Sequence, residues 1–512
     1  MKNSRKIFLA LTLLLCGCSD NLLNKSPLDQ FSPQTFYTNA TEVDMALMGI
    51  YSAINDNWYQ YDFMSDNHLC HHAWQGSLEF SKWQQNSSSG RALGKWRIAY
   101  STIGRVNTFL ENTQNVKIDE TLKKRMQAEA RFLRGMMYAD LAHFYGDVPL
   151  ILKTLPLSEA KVTRTAKDQV LAAAIDDFNF ASANLPASYT GADVGRATKG
   201  AALAFKTRLY LYNEKWTEAA AAAKEVMDLN QYRLFADYEG LFKEENENNV
   251  EVIFDIQYIR NLRPQPWPST ALSFSEWPTP GVTSDIIDAY YMKNGKSINA
   301  GNSGYNEQDP FINRDPRLSA TLVLPGSQYG NVKFIPASDG QITGARPRKY
   351  ADISNTDKNN CGLNYILMRY ADILLMRAEA LIESGNTGKE VYDLVNMVRT
   401  RSSVNMPAIE NAEGSGLSKE QLREIVRHER RVEFAVEGTR YSDMRRWKLE
   451  SAVKDVYGYD ISKLSDPSDP SKWVFARLKA DTRSFDPSKG WLWPIPLDEI
   501  QSNSNLKQNP GY

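Results

Sequence analysis

The chain has 512 residues, with 60 Lys and Arg against 61 Asp and Glu and an apolar fraction of 42%. That length allows roughly three domains. The composition excludes a disordered, collagen-like or multi-span membrane chain, and the near-zero net charge leaves no broad polycation for nucleic acid. Eleven Trp and 25 Tyr in a chain of mean hydropathy -0.47 point to some aromatic rings lying outside the core.

Lys2, Arg5 and Lys6 precede an apolar run from Ile7 to Leu15, too short to cross a hydrocarbon core that needs about 20 helical residues. It reads as an export signal over 1–17. Leu15-Cys16-Gly17-Cys18 resembles the lipobox of a bacterial lipoprotein, which makes Cys18 the expected lipidation site, with 18–40 as anchor and tether. Several acyl chains anchor firmly where one would be marginal. Besides Cys18, the mature chain would keep only Cys70 and Cys361, enough for one bridge and far short of a disulfide scaffold.

In chain order, Thr41 is the expected cap of a first helix carrying Val43, Leu47, Ile50 and Ile54 at helical spacing. Further helices are predicted over 91–113, 119–145, 165–185, 198–212, 215–229, 366–384, 388–402 and 418–437. Ala174, Phe178, Ala181 and Pro186 have the spacing of the second helix of a tetratricopeptide repeat, and Trp216, Ala219 and Ala223 match it in part. Generic Ala-rich hairpins give the same signal, and no strict 34-residue period is present. Prolines and glycines break any helix across 231–360, so this stretch reads as an irregular inserted subdomain, with Val250–Ile256 and Leu318–Leu324 as possible strands. The organisation expected is 41–230 helical, 231–360 inserted, and 361–512 helical with a loop-rich tail.

Residues 57–90 mix Trp58, Tyr59, Trp74 and Trp83 with Asp66, Asn67 and Gln75 without helical or strand periodicity. Aromatic faces beside short amides and carboxylates suit a sugar: rings cover its C–H face and polar groups pair its hydroxyls. The alternative for any one ring is a satellite core under a long loop. Trp267 and Trp277, set among prolines that lower the ordering cost of binding, and Tyr290 complete the expected ligand-binding set. His68, Cys70, His71 and His72 have metal-ligand chemistry but no second group to complete a site, so no metal or other cofactor is expected; calcium would leave no signature. There is no G-x-S-x-G, H-E-x-x-H or P-loop, and no catalytic residue is assigned. Arg427-His428-Glu429-Arg430-Arg431, interleaved with Glu424 and Glu433, reads as a salt-bridged helix face.

Several motifs together resemble the SusD/RagB outer-membrane lipoproteins of the Bacteroidetes. They are Trp96-x-x-x-Tyr100-x-x-Ile103-x-x-x-Asn107, Ala128 to Arg134 running on to Phe144-Tyr145-Gly146-Asp147-Val148-Pro149, and Arg196 to Ala202. Later come Leu367 to Leu375, Glu429 to Phe434 with Glu437-Gly438, Arg445-Arg446-Trp447, and the ending Pro494-Ile495-Pro496 to Tyr512. The resemblance implies a mainly α fold, with tetratricopeptide-type helical hairpins and a loop-rich insertion carrying small β elements. It also implies a non-catalytic oligosaccharide-binding lipoprotein on the cell surface, lying over a SusC-like TonB-dependent β-barrel and delivering cargo to it. A peptide-binding RagB-like member, or a structural lid with little selectivity, is the alternative.

Overall fold

The computed structural model describes residues 36–54, 56, 58–265, 280–329, 332–336, 343–351, 357, 360–464, 466 and 469–512. Cys18, Trp267 and Trp277 lie outside the described residues. The long helices are α1 (Ala40–Ala53), α2 (Gly90–Thr113), α3 (Glu120–Tyr145), α4 (Lys167–Asn184), α5 (Lys199–Tyr212), α6 (Trp216–Asp228), α7 (Tyr370–Glu383), α8 (Lys389–Arg399) and α9 (Lys419–Glu433). Local chemistry sets several starts: Asp119 accepts from the Leu122 N–H at 2.8 Å, Thr198 from Ala201 at 3.1 Å, and Ser418 with Gln421 forms a reciprocal capping box. α1 starts one residue before Thr41. Its cap is Asn39, whose side chain accepts from the Glu42 N–H, because Asn fills that position at least as well as Thr.

The helices pack as successive hairpins, α2 on α3, α3 on α4, α5 on α6 and α7 on α8, with α7 also against α6 and α9. Ala174, Phe178 and Ala181 are fully buried on α4, and Gly135 lets α3 approach that face. A Cβ there would lie 3.1 Å from Phe178 Cε1 and 3.2 Å from the Ala174 carbonyl. Arg134 on α3 donates twice to Asp177 on α4, at 2.8 Å each, so the charges on this pair of helices lock packing rather than face a ligand.

Three expectations are corrected. Residues 366–369 belong to a strand, Tyr365–Arg369, before α7 begins. Its apolar run is buried on both faces, and such a run does not separate strand from helix by periodicity. Leu318–Leu324 is mostly not strand: Arg317–Thr321 is a short helix followed by the two-residue strand Leu322–Val323. α9 stops at Glu433, before 437, because Val436 and Gly438 adopt positive φ and turn the chain across the loop at 58–66. A Cβ on Gly438 would stand 2.3 Å from the Trp58 carbonyl oxygen.

Short antiparallel pairs stitch the middle of the chain to its flanks. β1 (His68–Leu69) pairs with β3 (Gly281–Val282), and β2 (Val252–Ile256) pairs with β4 (Tyr365–Arg369), from Val252↔Arg369 to Ile256↔Tyr365 with a register shift on either side of Phe254. Beneath them lies a buried ion network. Arg369 reaches Glu251, Glu433 and Glu437 at 2.7–2.8 Å. Arg401 reaches Glu251 and Glu433, while Arg317 reaches Asp315, Glu429 and Glu433. Burial pushes the Glu433 carboxyl up, but Arg401, Arg369 and Arg317 outweigh it and hold it well below the usual carboxylate range. The charge-rich stretch of α9 is thus an ion-paired face, as read from the sequence, and it is largely buried rather than solvated.

Candidate functional site

The loop between α1 and α2 opens with a 3-10 turn, Trp58–Met64, and most of it is structural. Asp62 accepts from the Val436 N–H. Burial pushes its carboxyl up to about 7, while burial takes the His68 imidazole, whose Nδ1 lies 3.5 Å away, down to about 3. His68 is therefore uncharged near neutrality, while Asp62 takes up its proton within the physiological range. Among the described residues no three His, Cys, Asp or Glu side chains come together as metal ligands do.

Five of the expected ligand contacts are corrected by this arrangement. Tyr59 is buried, packing edge-on to Phe63 and Tyr365 at 6.0 and 6.2 Å between centroids. Asp66 is a buried partner of Arg440, at 2.8 and 2.9 Å, and of Arg431 at 3.0 Å. Asn67 accepts from Arg431 Nε through its side chain and from the Thr283 N–H through its carbonyl. Trp83 donates Nε1–H to the Gly490 carbonyl and packs on Phe485 and Trp491, and the buried Tyr290 hydroxyl donates to the Val432 carbonyl. A mixture of rings and amides reads alike whether it meets a sugar or the underside of α9. The deciding factor, contact with the C-terminal tail hundreds of residues away, is non-local.

Trp58 is half-buried and lines a cavity of about 50 Å³ with Met136, Asp140, His143, Phe205 and Arg208 of α3 and α5. Lys95 Nζ lies 4.8 Å from its ring centroid and is held there by Asp56 at 3.1 Å and Asp140 at 2.6 Å. Trp58 therefore belongs to the packing between the first loop and the helices.

Trp74 is different: it is 71% exposed. Its ring stacks on His72, with centroids 5.9 Å apart and planes 21° apart, and His72 lies 4.0 Å from His71. The short turn that carries it, Ala73–Gln75, ends at Gly76 in the left-handed region. Arg91, in the first turn of α2, donates Nε–H to the Gly76 carbonyl and Nη2–H to that of Gln75, both at 3.3 Å. The buried Cys70 thiol bonds Gln75 Oε1 from below, so an exposed ring stands on a pinned backbone.

A second exposed element follows strand β2. Strand β2 leads into a tight turn closed by Ile259↔Arg263 pairing, on which Ile259 and Leu262 are 56% and 82% exposed. The Arg263 guanidinium lies over the Tyr258 ring, 5.5 Å from its centroid. Burial pushes the hydroxyl of the neighbouring Tyr59 up to about 12. Arg91, Tyr258 and Arg263 carried no sequence signal, being single residues in a proline-rich or helical context. A cleft of about 710 Å³ lies beyond this turn, lined by Glu239, Phe242, Glu244, Arg260, Arg348 and Tyr350. Two of its arginines are paired, Arg260 with Glu244 and Arg348 with Glu239, while Lys243 on its wall makes no ion pair among the described residues.

Comparison with known proteins decides the family. The model of the SusD family matches residues 238–512, more than half of the chain. The chain belongs to the SusD family. A second family model, described as starch-binding and associating with the outer membrane, matches residues 21–211. Among relatives, a SusD-like protein of Formosa agariphila is 25% identical over 542 residues, covering all of both chains. Among solved structures, a SusD-like protein of Bacteroides fragilis superposes with a TM-score of 0.84 at 29% identity, over 95% of this chain and all of that one. A SusD-like carbohydrate binding protein of the same organism gives the same TM-score and identity, over 92% of this chain and all of that one. The mainly α SusD-like fold read from the sequence is the fold observed. No helix among the described residues is long and apolar enough to cross a membrane.

Proposed function

We propose that this SusD-family chain captures an oligosaccharide at the Trp74 rim and hands it on without altering it. The observation that carries this reading is Trp74 itself, a ring 71% exposed on a turn whose Gln75 and Gly76 carbonyls are held by Arg91 and which follows the β1–β3 pairing. A free ring face costs little to order on binding when its support is already rigid, and a sugar's C–H face is its natural complement. Two comparisons support a glycan as the cargo: the starch-binding description of the model matching 21–211 and the carbohydrate-binding relative with TM-score 0.84. Acylation at Cys18 would hold the chain on the outer face of the outer membrane. From there it would serve a SusC-like TonB-dependent β-barrel, and tethering beside that barrel raises the effective ligand concentration enough for weak affinity to suffice.

The test is binding of the purified chain to a broad panel of glycans, with Trp74→Ala alongside. Binding to a glycan that falls at least tenfold in the folded variant supports capture at this rim. Binding that is indifferent to Trp74→Ala moves the site elsewhere. Binding to peptides and to no glycan replaces the reading with a peptide-capturing one.

A further inference from the structure

The connection from α4 to α5, the chain after α6 and strand β2 enclose a cleft of about 250 Å³ that shares no residue with the Trp74 turn. Two rings line it, Tyr189 and Tyr232. Each is half-buried and held through its hydroxyl, Tyr189 on Glu129 Oε1 at 3.5 Å and Tyr232 on Thr198 Oγ1 at 3.0 Å. Gly200 lets the Tyr232 hydroxyl close on α5, since a Cβ there would lie 2.2 Å from it. Three exposed polar side chains on the same wall keep bonding capacity in reserve. Among the described residues the Ser188 hydroxyl has no partner, Gln231 uses only its amide N–H, on the Leu229 carbonyl, and Asn248 uses only its amide oxygen, which accepts from Gln257. Fixed rings beside open amide and hydroxyl groups are the complement of a sugar. The volume lies just under the roughly 300–1,000 Å³ of pockets for drug-sized ligands, which suits a mono- or disaccharide unit.

Charge decides which sugar. Arg196 lines the cleft but is already met by Asp44, Asp193 and Glu129 at 2.8, 2.6 and 3.4 Å. Asp255, buried in the wall, is met among the described residues by two side-chain amides, those of Gln257 and Asn364. Burial pushes its carboxyl up to about 6, so it is mostly ionised above neutrality, and a carboxylate with no cation beside it repels a second one. We infer that this cleft is a second sugar site, which takes a neutral mono- or disaccharide unit and turns acidic sugars away. The inference rests on the glycan reading above for its class of ligand and on none of the residues of the Trp74 rim. Tyr189 and Tyr232 take the C–H surface, and Ser188, Gln231 and Asn248 pair the hydroxyls.

The experiment is calorimetric titration of the purified full chain carrying Trp74→Ala, which silences the rim. Maltose, laminaribiose, cellobiose, mannobiose and galactobiose are the neutral probes, and digalacturonate is the acidic one. At least one neutral probe is expected to bind at least tenfold more tightly than digalacturonate. Ser188→Trp, which fills the cleft from an exposed position, is expected to weaken that probe at least tenfold, and Gln231→Ala at least threefold. Gln231→Ala gives up one 3.3 Å bond, so its melting midpoint should match the parent, and it carries the test if Ser188→Trp disturbs the loop. Asp255→Asn removes the repelling charge and is expected to tighten digalacturonate at least threefold. Neutral binding that ignores both cleft variants overturns the inference. So does digalacturonate binding as tightly as every neutral probe, or Asp255→Asn remaining closed to it. No binding once Trp74 is replaced also overturns it, and leaves capture at the rim standing where the unmodified chain binds. A chain that loses nothing with Trp74→Ala but loses its binding with Ser188→Trp removes the rim reading and supports the cleft.

Discussion

The C-terminal helical half and the Trp74 rim use the same residue types to opposite ends. Beneath α9, Arg369, Arg401 and Arg317 are enclosed and each meets two or three carboxylates; at the rim, Arg91 meets the Gln75 and Gly76 carbonyls. Aromatic residues divide the same way, Trp83 and Trp493 closing the core while Trp74 stands out of it. A group whose partners are all internal holds the fold together, and a group left with unused bonding capacity at the surface is where a ligand has something to gain. The motifs that identify the family, Glu429 to Phe434 above all, sit in the first class.

That contrast can be broken from either side. Glu433→Ala strikes the enclosed network and should give the largest effect, a loss of about 3–5 kcal/mol in urea unfolding, because it strips carboxylate from three buried arginines at once; a loss below about 1 kcal/mol would mean that Glu251, Glu429 and Glu437 suffice without it. Asp62→Asn probes the loop beneath the rim. The Asp62 carboxyl, pushed up to about 7 by burial from an ordinary value near ~3.9, binds its proton more tightly in the folded state. Its stabilisation is full below about pH 4 and is lost as pH rises through about 7. Asp66 and Glu433, held low by their arginines against the opposing effect of burial, do the reverse and lose theirs as pH falls below about 4. Asp62→Asn should therefore match the parent near pH 4 and exceed it at pH 8 by up to about 4 kcal/mol, read from melting curves across that range. An unchanged pH profile would mean that the buried Asp62 does not titrate as described.

Gly135→Val should cost about 1–3 kcal/mol by overpacking the α3–α4 interface, whose nearest atoms stand 3.1–3.2 Å from the new Cβ. A neutral result would show that Phe178 can move aside. Trp74→Ala should change stability least, by under about 0.5 kcal/mol, while costing binding tenfold or about 1.4 kcal/mol. A comparable loss of stability would place Trp74 with the scaffold.

Much of the scaffold was legible because long helices advertise themselves through periodicity and caps. α3, α5 and α6 fall within a residue or two of their expected bounds, and Gly146 ends α3 as read. The departures sit where tertiary contacts override local signal: Tyr365–Arg369 is a strand because β2 is there to pair with it, and α9 ends early because its last turn must meet the 58–66 loop. The candidate site was legible as a region and hardly as residues. Trp74 stays at the surface while the half-buried Gln75 turns its side chain to Cys70, and Tyr59, Asp66, Asn67, Trp83 and Tyr290 find their partners 200 or more residues away or across the helix that covers them. Arg91 and Arg263 could not be singled out from sequence because what their guanidiniums meet, two loop carbonyls in one case and the Tyr258 ring in the other, is set by the folded surroundings alone.

The most direct test of the central claim is amide hydrogen exchange of the full chain with and without a bound oligosaccharide from the glycan panel. Capture at the rim predicts slowed exchange concentrated at residues 71–76, with α3 to α6 unchanged. Protection confined to 239–245 and 348–351, around the ion-paired cleft, would contradict it.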